Sequence, residues 1–358
     1  MKNRNYGVDL LKSISMLMIV ILHVLGVGGV LAGTIEGTAV NNAAWLLETM
    51  NICAVNCFGL VSGYVLCKGR YRRSRLLSLW LRVVFEALAI TVAFAVLMPG
   101  VVGVKEWFFA VTPVLHDMYW YFTAYFALFF FVPYINKMIA SLSGKEMVGL
   151  AFSVVFIFTF LGNITGNDIF HLHGGYGFLW LLCLYLLGAC LRHVRIRPKI
   201  NKYWFLALYF ISTSSAWGIM EIFGSQSAIG YTSPLILLAA ALLLLFFRRL
   251  DVKPQLLQKT ISMLARTSFG VYIIHTHPLV WNHVLSGRFA SYAEYPASLA
   301  VLAVILSAAA IYAVCTLGDW LVEKFFKLIR VDLLEKAVDG IGKKHSKNSR
   351  KSQNALLK

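Results

Sequence analysis

The chain is 358 residues long, 59% hydrophobic and only 14% charged, and its net charge is +17. Soluble domains carry about a quarter charged residues, so this deficit, with a mean hydropathy of +0.72, excludes a soluble globular protein and a soluble domain on a single anchor. The excess of cations comes with no recognised nucleic-acid motif and no stacking platform, which excludes nucleic acid as a partner and leaves topology and anionic lipid as the uses of the charge.

A helix needs about 20 apolar residues to cross the hydrocarbon. Such stretches recur at roughly 8–30, 43–66, 76–98, 118–136, 148–164, 176–191, 203–222, 232–247, 266–285 and 296–325. The fifth, eighth and ninth are the least distinct. Runs such as Leu235 to Phe247 are apolar on every face, whereas a membrane barrel would alternate. The expected fold is therefore all-α and polytopic, with about ten transmembrane helices. Residues 1–330 form one membrane domain, and 331–358 form a polar, basic cytoplasmic tail expected to be partly disordered. Lys2, Arg4 and Lys12 ahead of the first apolar stretch imitate a signal peptide, but Asp9, the interrupting His23 and the spans that follow argue that the segment is retained.

With the N-terminus inside, the four internal loops hold Lys68, Arg70, Arg72, Arg73 and Arg75, then Lys137 and Lys145, then Arg192, Arg195, Arg197, Lys199 and Lys202, then Arg248, Arg249, Lys253 and Lys259. The external loops hold only Lys105 and Arg288. That asymmetry puts both termini in the cytoplasm and the protein in the cytoplasmic membrane as a multi-pass chain. The six cysteines lie within or at the ends of spans with no C-x-x-C pair, as small buried hydrophobes do. No strong internal repeat marks the chain as a repeat-built transporter.

Ionisable residues inside a bilayer are costly and point to function. Lys12 and His23 are eleven residues apart, which returns them to nearly the same helical face, separated by roughly 16 Å. A cation at the inner mouth suits phosphates, and an imidazole deeper on the same face suits proton transfer. The pair equally fits a positive-inside anchor and a hydrogen-bonded bundle histidine. Glu48 in the second span sits at a depth similar to His23, with Asn51 and Asn56 further in; a carboxylate there could orient the imidazole or serve only as a structural partner.

After Ser62-Gly63-Tyr64 come the overlapping R-x-x-R pairs Arg70/Arg73 and Arg72/Arg75, suited to phosphate but also accounted for by topology. Arg82 and Glu86, one turn apart, are expected to pair. Tyr272 and His275, one turn apart, are a candidate pair at the acceptor or behind the residues that touch it, with core packing as the other reading, and Trp120 is a candidate sugar platform at an interface where aromatic belts are common. Neither His275-x-His277 nor Asp168 with His171 and His173 completes a metal set. No metal is expected.

Asn5-Tyr6-Gly7-Val8-Asp9-Leu10-Leu11-Lys12, followed after ten residues by His23, resembles the opening of the membrane acyltransferase type 3 family. Phe58-Gly59-Leu60-Val61-Ser62-Gly63-Tyr64, the R-x-x-R loop, Tyr119-Trp120-Tyr121-Phe122 leading to Pro133, and Ser268-Phe269-Gly270-Val271-Tyr272-Ile273-Ile274-His275 resemble later segments of that family in the same order. The resemblance implies transfer of an acyl group, commonly acetyl from acetyl-CoA, to sugars outside the cytoplasmic membrane. It implies that Lys12 and His23 fill the family's Arg/Lys-x10-His pattern, and that Arg70, Arg72, Arg73 and Arg75 serve the acyl-CoA donor. His23 is then the general base or a transient acyl carrier, oriented by Glu48, with a surface polysaccharide or glycolipid as acceptor. The alternative is a transporter or export component in which His23 and Glu48 relay protons or act structurally.

Overall fold

In the computed structural model, residues 4–69, 71–164, 168–193, 200–331, 333–334 and 336–339 are described. They form helices joined by turns, with no strand among them. Helix α1 (Tyr6–Leu25) starts where the Asn5 side chain accepts the Val8 N–H at 3.0 Å, a capping bond that satisfies one orphan donor. The same side chain donates to the Arg248 carbonyl at 2.9 Å. A β-carbon at Gly7 would come within 1.9 Å of the Phe247 carbonyl oxygen, so Asn5 and Gly7 together dock the start of α1 on another helix.

The second pass is broken into α2 (Ala39–Ile52) and α3 (Ala54–Leu66) at Cys53. Thr49 and Asn51 bond back to the carbonyls of Trp45 and Leu47 at 2.8 and 2.7 Å, a pattern that bends helices. There follow α4 (Arg73–Leu97), α5 (Trp120–Ser141, with Pro133 inside it) and α6 (Gly144–Val155), which runs into a π-turn at Phe156–Leu161. The remaining long helices are α7 (Phe178–His193), α8 (Tyr203–Phe223), α9 (Pro234–Phe247), α10 (Gln255–His275) and α11 (Ala297–Leu328).

Among the described residues, eight segments are long and apolar enough to cross a membrane: Tyr6–Gly33, Ala39–Leu66, Arg73–Leu97, Trp120–Ser141, Gly144–Ile164, Tyr203–Phe223, Gln226–Phe247 and Ala297–Leu328. The protein is thus an all-α, multi-pass membrane protein. The other two expected spans correspond to α7, apolar but 16 residues long, and to α10. The span expected over 266–285 is not one helix. Helix α10 begins earlier, in a polar stretch after Pro254, and stops at His275; Pro278 then opens a short turn that leads into a π-turn at Trp281–Leu285. The residue before a proline avoids the α conformation, and His277 is extended there.

Cross-links between helix ends define two faces. On one, Asn5 meets Arg248, Asn136 Nδ2 donates to the Leu66 carbonyl at 2.9 Å, and Arg248 donates to the Leu191 carbonyl at 2.9 Å. On the opposite face the N–H groups of Gly287 and Phe289 donate to the carbonyls of Val27 and Gly28 at 3.0 and 2.8 Å, and Asn163 donates to the Thr232 carbonyl at 3.1 Å. The first face gathers the arginine- and lysine-rich connections and is called the basic face below. Helix α1 is the hub, packed on α10, α11, α3, α2 and α9.

Helices α3 and α7 touch backbone to backbone. A β-carbon at Gly63 would lie 1.9 Å from the Tyr185 carbonyl oxygen, and one at Gly188 would lie 2.0 Å from that of Leu60. Small residues at such crossings let membrane helices pack closely. Gly63→Ala should therefore push the pair apart and cost about 1–3 kcal/mol, the scale of overpacking. A lowered thermal midpoint in detergent is expected for Gly63→Ala but not for Gly149→Ala, whose added carbon meets nothing within 4 Å. Equal midpoints would contradict the packing account.

Candidate functional site

Between the opposite-face ends of α1, α5 and α10 and the break between α2 and α3 lies a cavity of about 400 Å³ whose walls include His23, Glu48, Phe58, Trp120, Tyr121, Tyr176, Tyr231, Phe269, Tyr272 and Trp281. Helix α1 supplies one side through Met16, Ile19, His23 and Gly26, spaced three and four residues apart and so on one face. Lys12, half-buried, continues that stripe one turn before Met16. It sits roughly 16 Å from His23 toward the basic face, beyond the cavity's own lining.

His23 is held from both sides. Its Nδ1 lies 2.9 Å from Nε2 of His275, which is itself 1% exposed and bonded through Nδ1 to the carbonyl of Val271 one turn back. The indole of Trp281 meets the His23 ring edge-on, with centroids 4.7 Å apart. That indole opens the π-turn of residues 281–285, and π-turns are frequent at functional sites because they re-aim a side chain within a helical path.

Glu48 is the carboxylate expected to orient His23. It shares the cavity wall, but no hydrogen bond joins it to His23, and its Oε2 is buried without a partner. The side chain that does meet His23 is His275, a residue expected at the acceptor or behind it.

The aromatic wall is built deliberately. Trp120 packs on Tyr176 and Tyr231 with centroids 4.8 and 6.4 Å away. Asn56 accepts from Trp180 Nε1–H at 2.9 Å and donates to the Tyr231 carbonyl at 2.8 Å, so one intramembrane asparagine fixes the strand of chain that carries Tyr231. Gly175, at φ +97°, leaves the room that the Tyr231 side chain fills. On α5, the Tyr121 N–H donates to the Tyr272 hydroxyl at 3.3 Å. Sequence reasoning missed Tyr176, Tyr231 and Trp281, which stand at helix ends where an aromatic belt has the same composition.

Every marked position of the Phe269-Gly270-x-Tyr272-x-x-His275 segment has a task. Phe269 and Tyr272 line the cavity. His275 meets His23. On another side of α10, a β-carbon at Gly270 would strike the Asp319 carboxylate, and that carboxylate pairs with Arg82, which also bonds Glu86 at 3.1 Å. The expected Arg82–Glu86 pair thus has a third member from α11.

The described arginines of the loop do not converge. Arg70 lies outside the described residues. Arg72 pairs with Asp339 at 3.6 Å, and Asp339 also accepts the Ser74 N–H at the start of α4. Arg73 lines a groove of about 540 Å³ with Tyr71, Trp80 and Tyr134. Arg75 lines a different groove, about 450 Å³, with Arg82, Glu323 and Lys327.

The histidine clusters that imitate metal sites have local tasks. Asp168 accepts the N–H groups of Leu172 and His173, and His277 Nδ1 accepts the Leu279 N–H at 3.2 Å. Among the described residues no group of three or more His, Cys, Asp or Glu could hold a metal ion.

What remains is an imidazole with one nitrogen engaged and one free, beside an unpaired carboxyl oxygen and a wall of rings. That set can move a proton on a hydroxyl-bearing ligand. A family model described as an acyltransferase domain matches residues 5–320. No curated protein and no solved structure matches the chain. The matched region runs from the Asn5–Gly7 dock through the His23 cavity to the carboxylate on α11, and on that match the chain belongs to the membrane acyltransferase type 3 family.

Proposed function

We propose that this membrane acyltransferase moves an acyl group, acetyl in the first instance, from acyl-CoA on the basic, cytoplasmic face of the cytoplasmic membrane to a hydroxyl of a carbohydrate or glycolipid at the opposite face. The observation that carries this is His23, with one ring nitrogen engaged by His275, lining an aromatic cavity that also holds an unpaired carboxyl oxygen. In the reaction, His23 Nε2 takes the proton of the acceptor hydroxyl as its oxygen attacks the thioester carbonyl. The C–S bond breaks, and the leaving thiolate recovers that proton from His23. No proton is left over.

Three features support the assignments. Lys12 lies on the His23 stripe toward the basic face, where it can meet a donor phosphate; rings stack on sugar faces, as Trp120, Tyr176 and Tyr231 could; and Glu48 can accept from a second acceptor hydroxyl. The test is transfer of labelled acetyl from acetyl-CoA to glycan or glycolipid by the purified protein in lipid. Absence of both acetyl-CoA binding and transfer would defeat the proposal. Arg73→Ala and Arg75→Ala, made singly, are expected to raise KM for acetyl-CoA and leave that for the acceptor unchanged. Loss of a charged hydrogen bond is worth about 1.5–3 kcal/mol, or roughly 10- to 150-fold. Because the two side chains line separate grooves, their effects should differ; a variant with wild-type KM removes that arginine from the donor site.

A further inference from the structure

We propose that His275 is the positioning residue of the reaction: it fixes the tautomer of His23 and thereby presents the Nε2 lone pair to the acceptor hydroxyl. This rests on the assignment of His23 as the base in acyl transfer.

The chain of donors and acceptors has one solution. A carbonyl oxygen only accepts, so His275 Nδ1, bonded to the Val271 carbonyl, carries a hydrogen. A neutral imidazole has one donor and one acceptor nitrogen, so His275 Nε2 is an acceptor. The His23 Nδ1 that lies 2.9 Å from it must then be the donor. His23 is left with a bare Nε2, the nitrogen a general base needs. When His23 takes the acceptor's proton on Nε2, its Nδ1–H still points at His275 Nε2, so the same bond serves both protonation states. The pairing spans 252 residues of sequence, and the donor–base–orienter logic is that of hydrolytic triads, with an imidazole and a main-chain carbonyl in the orienting places.

The surroundings make the arrangement rigid. His275 is 1% exposed, its ring is tied to its own helix, and Trp281 closes on His23 from another side. Among the described residues no hydrogen bond links Glu48 to either ring, so the tautomer is set by His275 alone. The spacing of Tyr272 and His275 then has a reason. One turn of α10 puts a cavity-lining hydroxyl and the orienting ring on the same helical face.

The test separates this role from a packing role. His275→Leu keeps bulk and removes the acceptor; His275→Gln keeps an acceptor oxygen. In membranes with equal amounts of protein, His275→Leu should lower kcat by about 10²-fold, within the range of lost base catalysis, with KM for both substrates within about threefold, and His275→Gln should recover most of the loss. In a His23→Ala background, His275→Leu should have no further effect, since residues that act as a unit are non-additive. Nitrogen-15 spectra of the histidine-labelled wild-type protein should report His23 protonated at Nδ1, and His275→Leu should release it to a mixture of tautomers. An Nε2–H tautomer of His23 in the wild type, or a wild-type kcat in a correctly inserted His275→Leu, overturns the proposal. The spectra read the dyad without turnover, so a wild-type protein that shows the tautomer but transfers no acyl group would defeat the functional assignment and leave the dyad standing.

Discussion

His23→Ala is expected to lose acyl transfer by at least the 10²–10⁴-fold typical of a missing general base, while the protein still inserts and accumulates. The ring lines a cavity and makes one side-chain hydrogen bond, to His275, so its loss opens space beside a space that already exists. His275 then loses the partner of its Nε2, which can be met by a ligand or by water in the cavity. Lys12 should behave differently. It is on the same face of α1 but outside the cavity lining, so Lys12→Ala should raise KM for the donor, and Lys12→Arg, which keeps charge and reach, should retain activity. The measurement is transfer from labelled acetyl-CoA in membranes holding equal amounts of each variant. Wild-type turnover in His23→Ala would remove the residue from the chemistry and turn attention to a proton-relay or transport role for the cavity.

Arg82→Ala should be the most damaging change to folding. Its guanidinium, 22% exposed, is the counter-ion of two carboxylates, Glu86 at 1% and Asp319 at 0% exposure. Each of those carboxylates already has one buried oxygen without a partner. Removing the cation leaves two buried acids facing each other between α4, α10 and α11, and breaking such a pair costs about 3–5 kcal/mol. Low yield and a strongly lowered thermal midpoint in detergent are expected. Neutralising the acids along with the cation, as Arg82→Met with Glu86→Gln and Asp319→Asn, should recover much of the stability, because a buried ionic cluster replaced as a whole leaves no orphan charge. If Arg82→Ala alone melts with the wild type, the cluster is not what holds these helices together. Gly270→Ala should fall between the two, since the added carbon strikes the Asp319 carboxylate directly.

The membrane class, the helical architecture and the shared face of Lys12 and His23 were legible in the chain itself. Apolar length sets what can cross a bilayer, and within one helix the phase between two residues follows from the helical repeat. The Arg82–Glu86 pair was legible for the same reason, being one turn apart. Boundaries were less so at residues 266–285, where a polar helix start and the break at Pro278 shift the element by ten residues or so.

What the tertiary structure alone decided is who faces whom across helices. Periodicity states which residues share a face but not how that face is rotated toward its neighbours. It therefore could not tell that His23 meets His275 on α10 and not Glu48 on α2, that Arg72, Arg73 and Arg75 diverge toward a carboxylate and two grooves, or that Asp319 completes the Arg82 cluster from 237 residues away. Those rotations are set by close contacts at a few glycines, with backbone at Gly7, Gly63 and Gly188 and with the Asp319 carboxylate at Gly270, where a missing side chain lets one helix settle into another. A glycine in a sequence shows that something comes close; only the folded chain shows what.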